Sequence, residues 1–286
     1  MCRRGRKRSH SNLNDHLSPH QTTSAQVAPR SREPLPVASV LTVNNQIASQ
    51  LSPDLVAQDR LVLCDLDGCL VSEGRAYTDS ASFLQSCGER LWLVSNNSSH
   101  CAADLSARLA EIGLTVPAKR ILLAGEQTLA HLARLHPGAR LALFASPAME
   151  QEARRLGFAL TGDRPDLVLL CRDTQLSLDR LNAVAALVQG GAAFWVSNTD
   201  TAHPGHAGQP IAETGALLAA LRAMLTELKF ESIGKPHPHL AALALSRTGV
   251  SASEAVFVGD NPDTDGAIAR AIGTRFVLLR RTGAPE

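Results

Sequence analysis

The chain has 286 residues, 44% of them hydrophobic and 19% charged, with a formal net charge of +1; this fits one large domain or two smaller ones with a sizeable core. That balance argues against a globally basic nucleic-acid binder and an acidic disordered chain, and 3% aromatic residues argue against a stacking platform for single strands. No apolar run approaches the ~18 residues of a membrane span, and the six cysteines show no C-x-x-C or zinc-like pairing, so they read as free thiols in a reducing, cytoplasmic compartment.

Residues 1–36 carry seven Lys/Arg against two Asp/Glu, a local +5 that leaves the remainder at −4. This segment opens MCRRGRKRSH and continues through polar residues and proline, with too little apolar surface to offset its ordering entropy. It lacks the apolar stretch of a secretory signal. A disordered basic tail is the preferred reading over an arm for nucleic acid or anionic lipid.

From about residue 60, short apolar runs alternate with helical stretches. Strands are predicted at 60–64, 91–94, 121–123, 140–145, 167–171, 193–196, 255–258 and 275–279. Helices are predicted at 79–88, at 104–112 (Leu105, Leu109 and Ile112 at helical spacing, closed by Gly113), from 124 through Leu135, and at 147–156, 177–189, 214–228, 237–248 and 263–272. Strict β-α alternation with uniformly apolar strands predicts parallel sheets covered on both faces. The strands exceed what one modest sheet needs, so a second α/β unit is inserted, with His136-Pro-Gly138 as its entry.

Ligands of parallel α/β sheets sit beyond the carboxyl ends of the strands. After the first strand comes Asp65-Leu66-Asp67-Gly68. Its carboxylates at i and i+2 point to one side of an extended chain. Buried together they repel unless a cation or a shared proton compensates, and oxygen ligands suit Mg²⁺; the plain alternative is an Asp-Gly turn. After the second strand, Ser95-Asn96-Asn97 offers hydroxyl, amide and N–H groups at a helix start, a phosphate cradle or an ordinary helix cap. Lys235, between Gly234 and Pro236, can neutralise phosphate charge or be a solvated surface lysine. Gly259-Asp260 and the following Asp263 and Asp265 form another strand-end acidic cluster, whose alternative is an Asp-rich helix cap.

The order D-x-D-G, S-N-N, G-K-P and G-D-x-x-x-T-D resembles the four motifs of the haloacid dehalogenase (HAD) superfamily, over about residues 60–280. The long spacing from Ser95 to Lys235 is similar to the C2-capped branch. Within it the chain looks like the NagD, para-nitrophenyl phosphatase and pyridoxal phosphate phosphatase group, because Asn198-Thr-Asp200-Thr-Ala-His203-Pro204 is similar to that group's cap loop. Departures from the pattern are Cys69 where Thr or Val is usual, a segment SEGRAYTDS without the common Pro-Gly, and Glu213 for a small residue.

The resemblance implies an α/β fold: a HAD-like Rossmannoid parallel-sheet core (37–136 and 229–286) with an inserted α/β C2-type cap (137–228). It implies Mg²⁺-dependent hydrolysis of a small phosphomonoester through an aspartyl-phosphate. Asp65 would be nucleophile and Asp67 general acid/base. Asp65, the Asp67 carbonyl and Asp260 would hold Mg²⁺, Ser95, Asn96 and Lys235 would grip phosphate, and Asp265 would orient Lys235 or a metal-bound water. Asn198, Asp200 and His203 would contact the leaving group from a loop at 197–210. Cys69 is expected to line the pocket, His237 and His239 to be polar residues at a helix start, and His206 to sit on a Gly-rich loop. The partner is a small phosphorylated metabolite, without nucleic acid or membrane, and self-association through the cap is allowed. The competing readings are a catalytically silent binding or regulatory protein and a phosphomutase. The sequence leaves sugar phosphate, nucleotide, phosphoglycolate and pyridoxal phosphate all open.

Overall fold

A computed structural model describes residues 45–205 and 209–281; the basic segment 1–36, His206 and Gly208 lie outside them. The described chain begins with β1 (Asn45–Ala48) and β2 (Leu61–Cys64), then a short pair, β3 (Val71–Ser72) and β4 (Arg75–Ala76). It continues as α1 (Ser80–Cys87), β5 (Leu91–Ser95), α2 (Ala102–Glu111), β6 (Ile121–Leu123) and α3 (Ala124–Leu135). A second unit follows with β7 (Arg140–Phe144), α4 (Pro147–Arg155), β8 (Ala159–Leu160), β9 (Leu167–Leu170), α5 (Leu178–Gln189) and β10 (Ala193–Val196). The pair β11 (Ala202–Pro204) and β12 (Pro210–Ala212) leads into α6 (Thr214–Met224). The chain closes with α7 (His239–Thr248), β13 (Ala255–Gly259), α8 (Asp265–Ile272) and β14 (Arg275–Leu279).

The core sheet has the order β1-β14-β13-β2-β5-β6, every neighbouring pair parallel. Strands β2, β5 and β13 are buried along their whole length, as two-faced covering requires. Alternate residues serve opposite faces. Val62, Cys64 and Val258 pack with Phe83 of α1 and Leu105 and Leu109 of α2, while Leu61, Leu63 and Phe257 pack with Leu240 of α7 and Ile268 of α8. Each large apolar side chain so buried contributes about 1.5–3 kcal/mol.

The cap sheet has the order β10-β9-β7-β8, also parallel. One face packs on α3 and α4 through Leu129, Leu132 and Met149. The other packs on α5 and α6 through Val184, Leu218 and Leu221.

Several elements differ from the sequence expectation. β1 precedes the first expected strand: Asn45–Ala48 is an edge strand paired only with β14, and its one large apolar side chain, Ile47, is exposed, so no burial pattern marks it. The segment after Cys69 is a two-residue hairpin, β3–β4, turning at Glu73 (φ 45°) and Gly74 (φ 77°), the positive dihedrals that tight hairpins need. The expected loop at 197–210 contains the strand β11 and the start of β12. Helix α6 ends at Met224 rather than 228, because the chain beyond it runs along the outer edge of β10. There Glu231 N–H donates to Phe194 O and accepts at its own carbonyl from Val196 N–H, covering an otherwise open edge.

Candidate active site

Strand order reverses at β2, whose sequence successor β5 lies on one side and whose late partner β13 lies on the other. The carboxyl ends of these three central strands face one place, the switch point of an open α/β sheet. Asp65 is the first residue past β2, and its N–H donates to Val258 O at 2.9 Å, tying the end of β2 to β13. Asp67 follows, and Gly68 turns the chain at φ +78°. A Cβ on residue 68 would overlap the Asp260 carboxylate. Glycine is therefore required there for its dihedral and for its lack of bulk.

Ser95 ends β5, and Asn96 beside it is buried. The Asn96 amide brackets the backbone of Lys235. Its Oδ1 accepts from Lys235 N–H at 2.7 Å, and its Nδ2 donates to Lys235 O at 3.0 Å and to Asp200 Oδ2 at 2.9 Å. Lys235 itself is 2% exposed. Its Nζ lies 2.6 Å from Asp65 Oδ1 and 2.8 Å from Asp265 Oδ1. Burial alone would lower this ammonium, but Asp265 and Asp65 outweigh it and hold Lys235 well above the ordinary lysine value.

Asp260 is the first residue past β13, and Asp265 opens α8. The second oxygen of Asp265 accepts from Asn261 N–H at 3.2 Å, so that carboxylate is committed to Lys235 and to its own loop. Carboxylate oxygens of Asp65, Asp260 and Asp265 lie within 4.8 Å of one another. Burial, and then the charge of Asp65, pushes Asp260 up to about 7. Such a crowded set of oxygen donors fits a hard divalent cation, with Asp65 and Asp260 carrying the uncommitted oxygens. Asp67 is exposed and opens onto the cavity, and partial desolvation, followed by Asp65, pushes its carboxyl up to about 6, against the opposing pull of His203 and Lys235.

These residues line a cavity of about 490 Å³ whose other wall comes from the cap, including Asp200, His203, Arg172 and Glu213. A larger cavity of about 670 Å³ along β10 shares no lining residue with it and lies away from the carboxylates. Asn198, expected on the leaving group, is fully buried and outside the cavity wall. Its Nδ2 donates to Asn96 O at 2.9 Å and Thr214 Oγ1 at 3.2 Å, which makes it a brace between core and cap. Cys69 does not line the pocket either: it is buried in the core, and its hydrogen bond with Cys64, with burial, pushes its thiol well above the usual value. His237 and His239 are absent from the wall, and His239 stacks edge-on against His131 at 5.0 Å. Arg172 was not singled out in the sequence. It lies two residues beyond β9, so the strand-end rule applied to the cap strands would have found it.

Residues 62–159 match the family described as haloacid dehalogenase-like hydrolase, and residues 232–284 a second described as HAD-hydrolase-like. The chain is 30% identical over 221 residues to dihydroxyacetone phosphatase of Corynebacterium glutamicum, covering 76% of this chain and 80% of that one. It is likewise 30% identical to the ribonucleotide monophosphatase NagD of Escherichia coli K12, covering 76% and 86%. Glycerol phosphate phosphatase of Mycobacterium tuberculosis, solved in complex with magnesium, superposes with a TM-score of 0.71 at 28% identity, over 80% of this chain and 69% of that one. A parallel core whose central strands end in Asp65, Ser95 and Asp260, a cap inserted over them and relatives of this likeness lead to one assignment: the chain belongs to the haloacid dehalogenase-like hydrolases, among the NagD-like phosphatases.

Proposed function

We propose that this phosphatase hydrolyses small phosphomonoesters with Mg²⁺, through a phosphoryl group carried on Asp65. The observation that supports this most is the pairing of the Asp65 carboxylate with Lys235 Nζ at 2.6 Å, beside Asp260, at the end of a central strand. The lysine ammonium sits against one Asp65 oxygen, a contact that suits a carboxylate nucleophile. Asp67 stands two residues on, and its raised value of about 6 suits a carboxyl that gives and takes a proton more readily near neutrality than an ordinary aspartate. It would protonate the departing oxygen and then deprotonate the water that frees Asp65. Lys235 and Ser95 would hold the phosphoryl oxygens, where charge gathers in the transition state. The Asn96 side chain is committed to Lys235 and Asp200, so anything it offers phosphate must come from its main chain. Asp265 keeps Lys235 in place. Asp65, Asp260 and the Asp67 carbonyl would hold Mg²⁺, which supplies charge neutralisation for the incoming dianion. The mycobacterial relative is solved in complex with magnesium and with calcium, which supports a hard divalent cation at this place.

No helix among the described residues is long and apolar enough to cross a membrane. The described cysteines are free thiols, which supports a reducing, cytoplasmic setting. The cavity of about 490 Å³ supports a small metabolite as substrate.

Two measurements test the proposal. Chelation with EDTA should abolish phosphate release from p-nitrophenyl phosphate, and Mg²⁺ should restore it. Mass spectrometry of a quenched single turnover should find one phosphoryl group on the peptide bearing Asp65. Phosphate release that survives chelation, or an adduct on another residue, would overturn it.

A further inference from the structure

We infer that the cap wall opposite Asp67 selects an uncharged polyol as the leaving group, and that Glu213 turns away esters bearing a second anionic group. The inference rests on the proposed roles of Asp65 and Asp67. Three cap side chains meet at this wall. Arg172 follows β9, His203 lies in β11, and Glu213 immediately precedes α6. Glu213 Oε1 lies 3.1 Å from Arg172 Nε and 2.8 Å from His203 Nδ1. All three line the cavity that holds Asp65, Asp67 and Lys235. The trio therefore shares one cavity with the carboxyl proposed to protonate the leaving oxygen.

A free arginine on this wall would attract a carboxylate or a second phosphate through paired charge-assisted hydrogen bonds. Here the charge of Arg172 is already balanced by Glu213, while its terminal nitrogens stay available as hydrogen-bond donors. Its Nε serves Glu213 and also donates to Ala212 O at 3.1 Å. The other lysine or arginine of the wall, Lys235, is likewise paired, with Asp65 and Asp265. Burial holds the imidazole of the lining residue His100 low, which weakens it as a cation on this wall. The Glu213 side chain is 17% exposed, so solvent screens its charge only in part. An anionic leaving group would meet that carboxylate at close range, while each lysine or arginine among the described lining residues already faces a carboxylate, and nearby like charges disfavour one another. A polyol meets complementary groups: its hydroxyls donate to Glu213 and accept from guanidinium and imidazole N–H groups. Exclusion of the anion is as much a part of specificity as attraction of the polyol.

Glycerol 3-phosphate and 3-phosphoglycerate test this directly, because they differ by a hydroxymethyl group in place of a carboxylate. With Mg²⁺ present, the full-length wild-type enzyme is expected to show kcat/KM at least about ten-fold higher for glycerol 3-phosphate. Glu213→Gln frees Arg172 and removes the repelling charge. It should raise the 3-phosphoglycerate to glycerol 3-phosphate ratio of kcat/KM by at least about ten-fold, mainly through KM. A wild-type preference for 3-phosphoglycerate, or a ratio unmoved in a variant whose circular dichroism and melting match the wild type, would overturn the inference. Should the variant not fold, the wild-type ranking alone decides. p-Nitrophenyl phosphate separates the two levels of failure. Its hydrolysis alongside the wrong ranking rejects the role of the wall, whereas no hydrolysis of any ester rejects the roles of Asp65 and Asp67 on which the inference stands.

Discussion

Asp65 and Asp67 are two residues apart and chemically identical, so their separate roles come from what surrounds them. Asp65 is bound at 2.6 Å to a buried ammonium, while Asp67 faces the cavity with its carboxyl pushed up to about 6. Asp65→Asn should abolish phosphate release with an unchanged circular dichroism spectrum, because an amide is no nucleophile. Asp67→Asn should slow the chemical step by ~10²–10⁴, read in single turnovers on glycerol 3-phosphate, whose alkoxide leaving group needs a proton. Cys69 invites a different test. Because it is buried and its thiol is pushed well above the usual value, iodoacetamide should leave it unmodified in the native enzyme, as peptide mapping would show. Modification of Cys69 with loss of activity would mean that the pocket reaches it. The carboxylates were legible because each follows an apolar run. The burial of Cys69 was not, since its strand-end position is compatible with either side of the turn.

The turn at Gly68 and the brace at Asn198 show how short elements fix the site. Gly68→Ala places a side chain at φ +78° against the Asp260 carboxylate. The dihedral alone costs about 1–3 kcal/mol, and displacement of Asp260 should raise the Mg²⁺ concentration needed for half-maximal activity. Asn198→Ala removes buried hydrogen bonds to Asn96 O and Thr214 Oγ1. It should destabilise the protein by about 1–3 kcal/mol, seen as a lower melting temperature, and should depress turnover of aryl and polyol phosphates alike. A loss confined to one ester would show that Asn198 touches the leaving group after all. Strands such as Leu61–Cys64 and Ala255–Gly259 announce themselves by unbroken apolar runs that are buried throughout. β1, β8 and the hairpin β3–β4 do not, because none of them carries an unbroken run of buried apolar residues; Val71 is the one buried side chain of the hairpin. The Arg172–Glu213–His203 contact was equally hidden, because it joins the end of β9 to the residue before α6 through a fold that local patterns do not specify.

The molecule places its reacting groups on three stretches of chain that meet only when the core sheet is complete. Val62 in β2 pairs with Val256 in β13, and β1 pairs with β14 near the end of the described chain. The entire cap is inserted between these partners. During synthesis β2 and β5 emerge long before β13, so one flank of β2 stays open while the cap is being made. An apolar strand with an open flank is a template for joining another chain. A protein ending at residue 250 lacks β13, α8 and β14. It should accumulate as insoluble material even though its cap sheet is intact, and sedimentation of expressed lysate would measure this. The same topology sets an order of events for the enzyme in the cell. The proposed metal cradle would stay incomplete until Asp260 arrives, so a nascent chain should release no phosphate, and β2 keeps an open flank until then.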